Sequence, residues 1–481
     1  MINYRIVARA YSHIMFVEGL FMLLAAGVAL IYGEKPAPFL FSAIITIVAA
    51  LMVFTPLRVN EKVFGTKEGF VIITGNLLIL CIFGTLPFLL SGTLSSFTDA
   101  FFETMAGFTT TAVSVFSDRE VLSHGILFWR CLIQWFGGFM IIAFSLSVIP
   151  VIRNINIQLT TTEFTGLPSD RIYPQAVRTI GKLLAIYSSF TAAEAIMLVA
   201  GGMSLFDAVC ISFSTMSTGG FSPYNDGLAS FTSPYLMLVI MLFMVIAGSN
   251  LALVFFGLKA DFRKITGNSE LRGYLFLSVF FAVVLSSVLL STGIFPVKDS
   301  FLKGSFHAIS IISTTGFFND DFSQWGAVPV LLIIILMFSG GMTGSPSGSI
   351  KTIRLLIIAR NIRHEVRRLI HPQAYLPIRI DRHTIPGSVI YNLLVFFALY
   401  VLVVCAGALV MSFMGYDLLV SFSTSASLLG NIGPGTGAAG PFSDYSGFTE
   451  SGKWFVSFFM FLGRLELLAV LILFSRSFYK R

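Results

Sequence analysis

The chain has 481 residues, 56% of them hydrophobic and only 11% charged, against about 25% charged in an ordinary soluble domain. With 31 Lys and Arg against 24 Asp and Glu the net charge is +7, and where those charges sit matters more than their sum. The balance excludes a soluble globular protein, a disordered one, and a soluble enzyme on a single anchor, since apolar runs cover most of the length.

In chain order the apolar windows predict ten spanning helices, at 14–32, 39–57, 69–91, 126–151, 181–201, 234–258, 274–294, 327–358, 386–413 and 453–477. Each has about the ~20 residues that a span requires. No cleavable leader is expected, because no small-residue cleavage site follows the first run. Cys81, Cys131, Cys210 and Cys405 fall in apolar stretches without a C-x-x-C, so they read as buried apolar residues. No two histidines have a zinc spacing.

Most Lys and Arg fall in alternate loops. One side collects Arg5, Arg9, Arg58, Lys62, Arg153, Arg171, Lys259, Arg263, Lys264, the stretch Arg360–Arg382, Lys480 and Arg481. The positive-inside rule places that side, with both termini, in the cytoplasm. The asymmetry accounts for the basic balance without nucleic acid. The opposite loops carry acids such as Asp99, Asp118, Asp207, Asp320 and Asp444, which predicts an acidic vestibule that concentrates cations.

After two N-terminal spans, a pattern of span, short polar-aromatic segment and span repeats four times. The segments are Asp99–Arg119, Asp207–Gly227, Phe306–Ser323 and Leu418–Ala438. Each has ten or so residues of helical spacing, then small, hydroxylated or glycine residues. Asp99 precedes Ala112 by 13 residues, and Asp207 precedes Gly220 by 13. Gly316 and Gly433 fall at the matching point. The physical reading is a re-entrant half-helix followed by an extended strand, tolerated at membrane depth only when buried in protein or lining a cavity. Four such segments around one axis would supply rings of carbonyls that replace the hydration shell of a monovalent cation. Helix C-termini aimed at the centre would favour the same charge.

The eighth span is broken by the glycine-rich Ser339–Ser349, which also contains Pro346 and cannot be a comfortable helix. It lacks the lysine of a phosphate loop, so no nucleotide is expected there. Counted from outside, residue 339 lies ~18 Å in and Arg464 ~17 Å in, at 1.5 Å per residue. A flexible loop and a lone cation thus share one depth, and charge within a span marks function. Arg130 is expected to brace a pore helix. Glu18, Glu194 and His307 are expected to be buried and hydrogen-bonded.

The motifs STGGF at Ser217–Phe221, STTGF at Ser313–Phe317, GNIGPG at Gly430–Gly435, FWRCLIQWFGG at Phe128–Gly138, SGGMTGSPSGSIK at Ser339–Lys351 and GRLEL at Gly463–Leu467 stand in order along the chain. On these the sequence resembles the Trk/Ktr/HKT superfamily of potassium transporters, in its TrkH/TrkG branch. The resemblance implies an all-α polytopic membrane protein with two N-terminal helices and four helix–pore loop–helix repeats around a pseudo-fourfold axis. The units would be 1–60, 61–152, 153–260, 261–382 and 383–481. It implies K⁺ uptake across the bacterial cytoplasmic membrane, with K⁺ as the transported ion and no cofactor in this chain. The filter would be Thr110, Thr111 and Ala112; Thr218, Gly219 and Gly220; Thr314, Thr315 and Gly316; and Asn431, Ile432 and Gly433. The gate would be Gly340, Gly341, Gly344, Gly348 and Arg464. The family usually has glycine where Ala112 stands, which suggests Na⁺ permeation beside K⁺. Implied partners are the lipid bilayer, a second copy of the chain and a ring of cytosolic TrkA-type nucleotide-binding subunits. A coupled carrier and an intramembrane enzyme are the alternatives, but no paired acids, Ser/His set or metal cluster at matched depth supports the latter.

Overall fold

Uninterrupted apolar windows become long helices because hydrocarbon offers backbone groups no partner outside the helix. The computed structural model describes residues 2–54, 65–152, 172–258, 266–371, 377–381 and 383–479. Arg58, Lys62, Arg153, Arg171, Lys259, Arg263, Lys264, Arg382, Lys480 and Arg481 lie outside the described residues. Among the described residues, seven helices are long and apolar enough to cross a membrane: Tyr4–Ile31, Ala37–Phe54, Lys67–Leu90, His124–Phe144, Thr179–Ala200, Ser269–Thr292 and Gly387–Phe413.

The other three expected spans are each two helices around a break. Pro234–Ala247 and Leu251–Leu258 flank Gly248, Ser249 and Asn250. Ala327–Leu336 and Thr352–Ile370 flank the glycine-rich run. Glu450–Arg464 and Leu467–Leu473 flank Leu465 and Glu466. The sequence predicts only the middle break. At the first, the Asn250 side chain accepts from the Ala252 amide at 2.8 Å, the local bond by which an Asn competes with a continuing helix. At the last, Glu466 takes a left-handed φ of 59°.

Four short helices lie between the long ones: Phe97–Phe108, Leu205–Met216, Val297–Ile312 and Leu418–Leu429. Asp99, Asp207 and Asp299 sit in the first turns of the first three, where a carboxylate complements the helix dipole. The Ser204 hydroxyl also caps the second, accepting from the Asp207 amide at 3.1 Å. Small residues let these helices approach their neighbours. Gly84 faces Thr104 and Phe108, Gly304 faces Ser286, and Gly407 faces Ser425 and Phe459. The outward faces of the long helices carry exposed side chains such as Phe41, Ile44, Phe276, Val279 and Leu402, as a lipid-facing surface should. Cys405 is exposed on one of them, whereas the other three cysteines are buried as expected.

Arg130 braces the first short helix. Its Nε donates to Glu103 Oε1 at 2.7 Å, with both side chains almost wholly buried. Glu103 also accepts from the Val115 amide and the Ser114 hydroxyl, which folds the following strand back against its own helix. Removing one partner of such a pair strands the other charge, at a cost of about 3–5 kcal/mol. Arg130→Ala should lower the thermal unfolding midpoint of the purified protein, and Glu103→Ala on top of it should recover part of the loss. A double variant no more stable than Arg130→Ala would remove the stranded-charge account.

Candidate functional site

Each short helix ends in the same turn. The amides of Thr110, Thr218, Thr314 and Asn431 bond to the carbonyls of Gly107, Thr215, Ile311 and Leu428 at 2.9–3.1 Å. The next amides, of Thr111, Gly219, Thr315 and Ile432, reach back to Ala106, Ser214, Ser310 and Ser427 at 2.7–2.9 Å. This is the Schellman ending of a helix, which places one residue in the left-handed region. That residue is normally glycine. Here it is Thr110, Thr218, Thr314 and Asn431, with φ of 52°, 53°, 58° and 51°. Each costs about 1–2 kcal/mol in this region, so the side chains are held there against local preference.

Those side chains carry oxygens. Thr110 Oγ1, Thr218 Oγ1 and Asn431 Oδ1 are buried with no protein partner. Thr314 Oγ1 accepts the Gly348 amide at 2.7 Å. Asn431 Nδ2 donates to the Met460 carbonyl at 2.8 Å and to Thr111 Oγ1 at 3.2 Å, which leaves its oxygen free to point elsewhere. The neighbouring backbone is braced from behind. Gln134 donates to the Gly219 carbonyl at 2.7 Å and accepts from the Phe221 amide at 3.1 Å. A lining of hydroxyl, amide and carbonyl oxygens, with no nitrogen ligand or thiolate, suits a hard cation.

One residue further on the four segments come into contact. Gly220, Gly316 and Gly433 have positive φ of 72°, 77° and 123°, and Ala112 does not share it. A Cβ built on any of the three glycines would lie 2.6–2.7 Å from the Ala112 methyl. That methyl therefore faces all three. The Ala112 amide also donates to the Ile432 carbonyl at 3.2 Å, so the first segment takes up a carbonyl of the fourth.

A small cavity of about 20 Å³ sits on this ring, lined by Ala112, Gly220, Pro434, Arg119 and Arg130 among others, with no carboxylate. The expected acidic vestibule is not what meets the segments. The outer acids are held locally instead: Asp99 by Lys453 at 2.6 Å, Asp320 by Lys303, and Asp207 by Ser204 and Tyr224. Burial, helped by nearby Arg130, brings Arg119 down to about 10, so it stays cationic at neutral pH.

The glycine-rich loop packs against the turns that open these segments. Its ends meet: the Gly340 amide donates to the Ile350 carbonyl at 2.9 Å and the Thr352 amide to Gly341 at 3.0 Å. Its body touches the parts of the chain that carry the second, third and fourth short helices. The Met342 amide donates to the Gly248 carbonyl at 2.8 Å, a group freed by the break in that helix. The Thr343 amide donates to Glu270 at 2.7 Å. Gly344 takes φ of 85° beside Asn250, and Gly348 packs on Gly430 and Asn431. Arg464 donates to the Pro346 carbonyl at 2.6 Å and to Gly137 at 3.3 Å. Glu466, two residues on, pairs with Arg354 at 2.6 Å. Lys351 adds bonds to the carbonyls of Ser345 and Ser347. Sequence reasoning missed Lys351, Glu270 and the Arg354–Glu466 pair. Only the in-span position of the lysine signalled any of them.

The structure also places the isolated polar residues. The His307 ring nitrogens meet the carbonyls of Lys303 at 3.0 Å and Asp320 at 3.3 Å, as expected. Glu18 is fully buried but neither carboxylate oxygen has a hydrogen-bond partner, contrary to expectation. Glu194 is buried near Thr215, and neither of its carboxylate oxygens has a hydrogen-bond partner either, again contrary to expectation.

These helices and re-entrant segments define a multi-pass helical membrane protein. The chain belongs to the TrkH family, described as cation transport protein, whose pattern matches residues 35–479. It is 30% identical over 489 residues to the Trk system potassium uptake protein TrkH of Escherichia coli, covering 99% of this chain and 100% of that one. The TrkG protein of the same organism is also 30% identical, over 483 residues and 99% of each chain. The crystal structure of the potassium transporter TrkH from Vibrio parahaemolyticus superposes with a TM-score of 0.90 at 30% identity, covering 99% of this chain and 100% of that one.

A side chain at Gly220 would strike the Thr315 carbonyl and the Ala112 methyl in a backbone conformation that favours glycine. Gly220→Ala should therefore cut cation flux at least tenfold at unchanged protein level. Flux equal to the parent would show that the segments do not meet this closely.

Proposed function

We propose that the chain takes up K⁺ through a pore whose filter is built by the four re-entrant segments. The observation that carries this reading is the fourfold recurrence of one strained turn. It sets the oxygens of Thr110, Thr218, Thr314 and Asn431 and the neighbouring backbone at equivalent points. Three of those oxygens lack a protein partner, as oxygens that serve a passing cation would. The filter residues are then Thr110, Thr111, Ala112, Thr218, Gly219, Gly220, Thr314, Thr315, Gly316, Asn431, Ile432 and Gly433. The curated relatives at 30% identity carry the name potassium uptake protein, which supports K⁺ as the cargo. Expression in a bacterium lacking its own K⁺ uptake should restore growth at micromolar K⁺. Absence of rescue with normal membrane insertion would oppose the reading.

The loop with Gly340, Gly341, Gly344 and Gly348, pinned by Arg464, is the gate. What supports this is its contact with the proposed filter: the Gly348 amide donates to Thr314 Oγ1, and Gly348 packs on Gly430 and Asn431. Removing the guanidinium frees the Pro346 carbonyl and loosens the loop. Arg464→Ala should raise ⁸⁶Rb⁺ flux severalfold in proteoliposomes; unchanged or lower flux at equal protein would count against the gate.

Ala112 weakens discrimination, because its amide takes the Ile432 carbonyl and its methyl faces the other three segments. Na⁺ then passes beside K⁺. Ala112→Gly should raise the K⁺ over Na⁺ preference, read from reversal potentials; an unaltered ratio would clear Ala112 of this role.

The five units 1–60, 61–152, 153–260, 261–382 and 383–481 follow from this division. The basic loops place both termini in the cytoplasm and the chain in the bacterial inner membrane. The relatives are named as members of a Trk system. That name fits an assembly with a second copy of the chain and a cytosolic TrkA-type subunit that carries the nucleotide site.

A further inference from the structure

The glycine-rich loop leads straight into the helix Thr352–Ile370, and a second cavity, of about 280 Å³, opens at the far end of that helix. Its lining is Arg360, Arg363, His364, Arg367, Pro377, Ile378 and Arg379. Four guanidiniums and an imidazole converge there with no carboxylate in the lining. His364 Nε2 is buried without a partner. Glu365, the acid on the same helix, is turned to Arg368 at 3.8 Å. The pocket is held open by its frame. Arg360 donates to the Arg379 carbonyl, and Ile357, Ile380 and Leu393 form a small apolar cluster that ties the antiparallel pair Arg379–Ile380 and His383–Thr384 to the helix.

Depth narrows the ligand. Counted along the span, Thr352 follows a loop that begins ~18 Å in, about half-way through a bilayer. Arg360 and Arg367 lie ~12 Å and ~22 Å further along the axis, at 1.5 Å per residue. Half a hydrocarbon core is ~15 Å, so the pocket brackets the boundary between acyl chains and headgroups. The same turns expose Ile362, Val366, Leu369 and Ile370 on another face of the helix. Arginines beside an exposed apolar row are the pattern of a helix seated at a membrane interface. Clustered arginines recognise phosphate bidentately, and basic pockets at this level take anionic lipid headgroups.

We propose that this pocket binds the phosphate headgroup of an anionic phospholipid. The lipid then rests on the helix that continues the glycine-rich loop. The first turn of that helix is tied through Arg354 to Glu466 at 2.6 Å, two residues beyond Arg464. The site is independent of what the pore carries.

The test is native mass spectrometry of the full chain in detergent, titrated with phosphatidylglycerol or phosphatidylcholine. The parent should retain phosphatidylglycerol at least fivefold in preference. Arg363→Gln with Arg367→Gln, both exposed and outside the packed core, should bring the ratio near one with an unchanged melting temperature. Arg368→Gln, outside the pocket, should leave it intact. No preference in the parent, or the same preference in the double variant, would overturn the proposal. So would full displacement of the lipid by millimolar inorganic phosphate, which would assign the pocket to a soluble anion.

Discussion

An extended strand at membrane depth exposes amides and carbonyls that hydrocarbon cannot satisfy. Much of this architecture answers that constraint. The four strands that follow the short helices are buried by the surrounding helices, and side chains from those helices take up their polar groups. Gln134 serves the second segment and Asn431 ties the fourth to the Met460 carbonyl. Glu103 with Arg130 holds the first. Where the strands begin, the side-chain oxygens of Thr110, Thr218 and Asn431 are left without a protein partner. The same constraint explains the left-handed threonines: the Schellman turn satisfies the last helical carbonyls while it swings the chain into the strand.

The breaks in three of the long helices follow the same logic. A broken helix releases carbonyls at mid-membrane, and these need donors. The Gly248 carbonyl is met by the Met342 amide, and Arg464 serves carbonyls of the loop and of the helix that stays whole. The guanidinium is not stranded in hydrocarbon, because its two terminal nitrogens each meet a backbone carbonyl. Each such bond contributes about 1 kcal/mol net. A loop held by a handful of them is well placed, yet can be displaced by modest forces. That is the property the proposed gate requires.

Much of the fold was legible because its signals are local. Apolar windows located the helices, matched spacing from Asp99 and Asp207 aligned the first two re-entrant segments, and Pro346 among glycines announced the central break. The breaks at Gly248 and Glu466 were not legible, since one glycine or one glutamate within an apolar run is weak evidence against a helix. Threonine in the left-handed region leaves no sequence signature at all. The long-range pairs were equally hidden: Arg354 meets Glu466 across 112 positions and Lys453 meets Asp99 across 354. The outer acids looked like a vestibule because sequence shows charge without partners. Once partners are seen, the surface that meets the segments is lined by Arg119 and Arg130.

The central claim is that the four turns surround a cation. Anomalous scattering from crystals grown in Rb⁺ or Tl⁺ tests it most directly. The account predicts density on a common axis, within coordination distance of oxygens from all four of the segments that contain Thr110, Thr218, Thr314 and Asn431. Ordered ions elsewhere in the molecule, with none ringed by those segments, would contradict it.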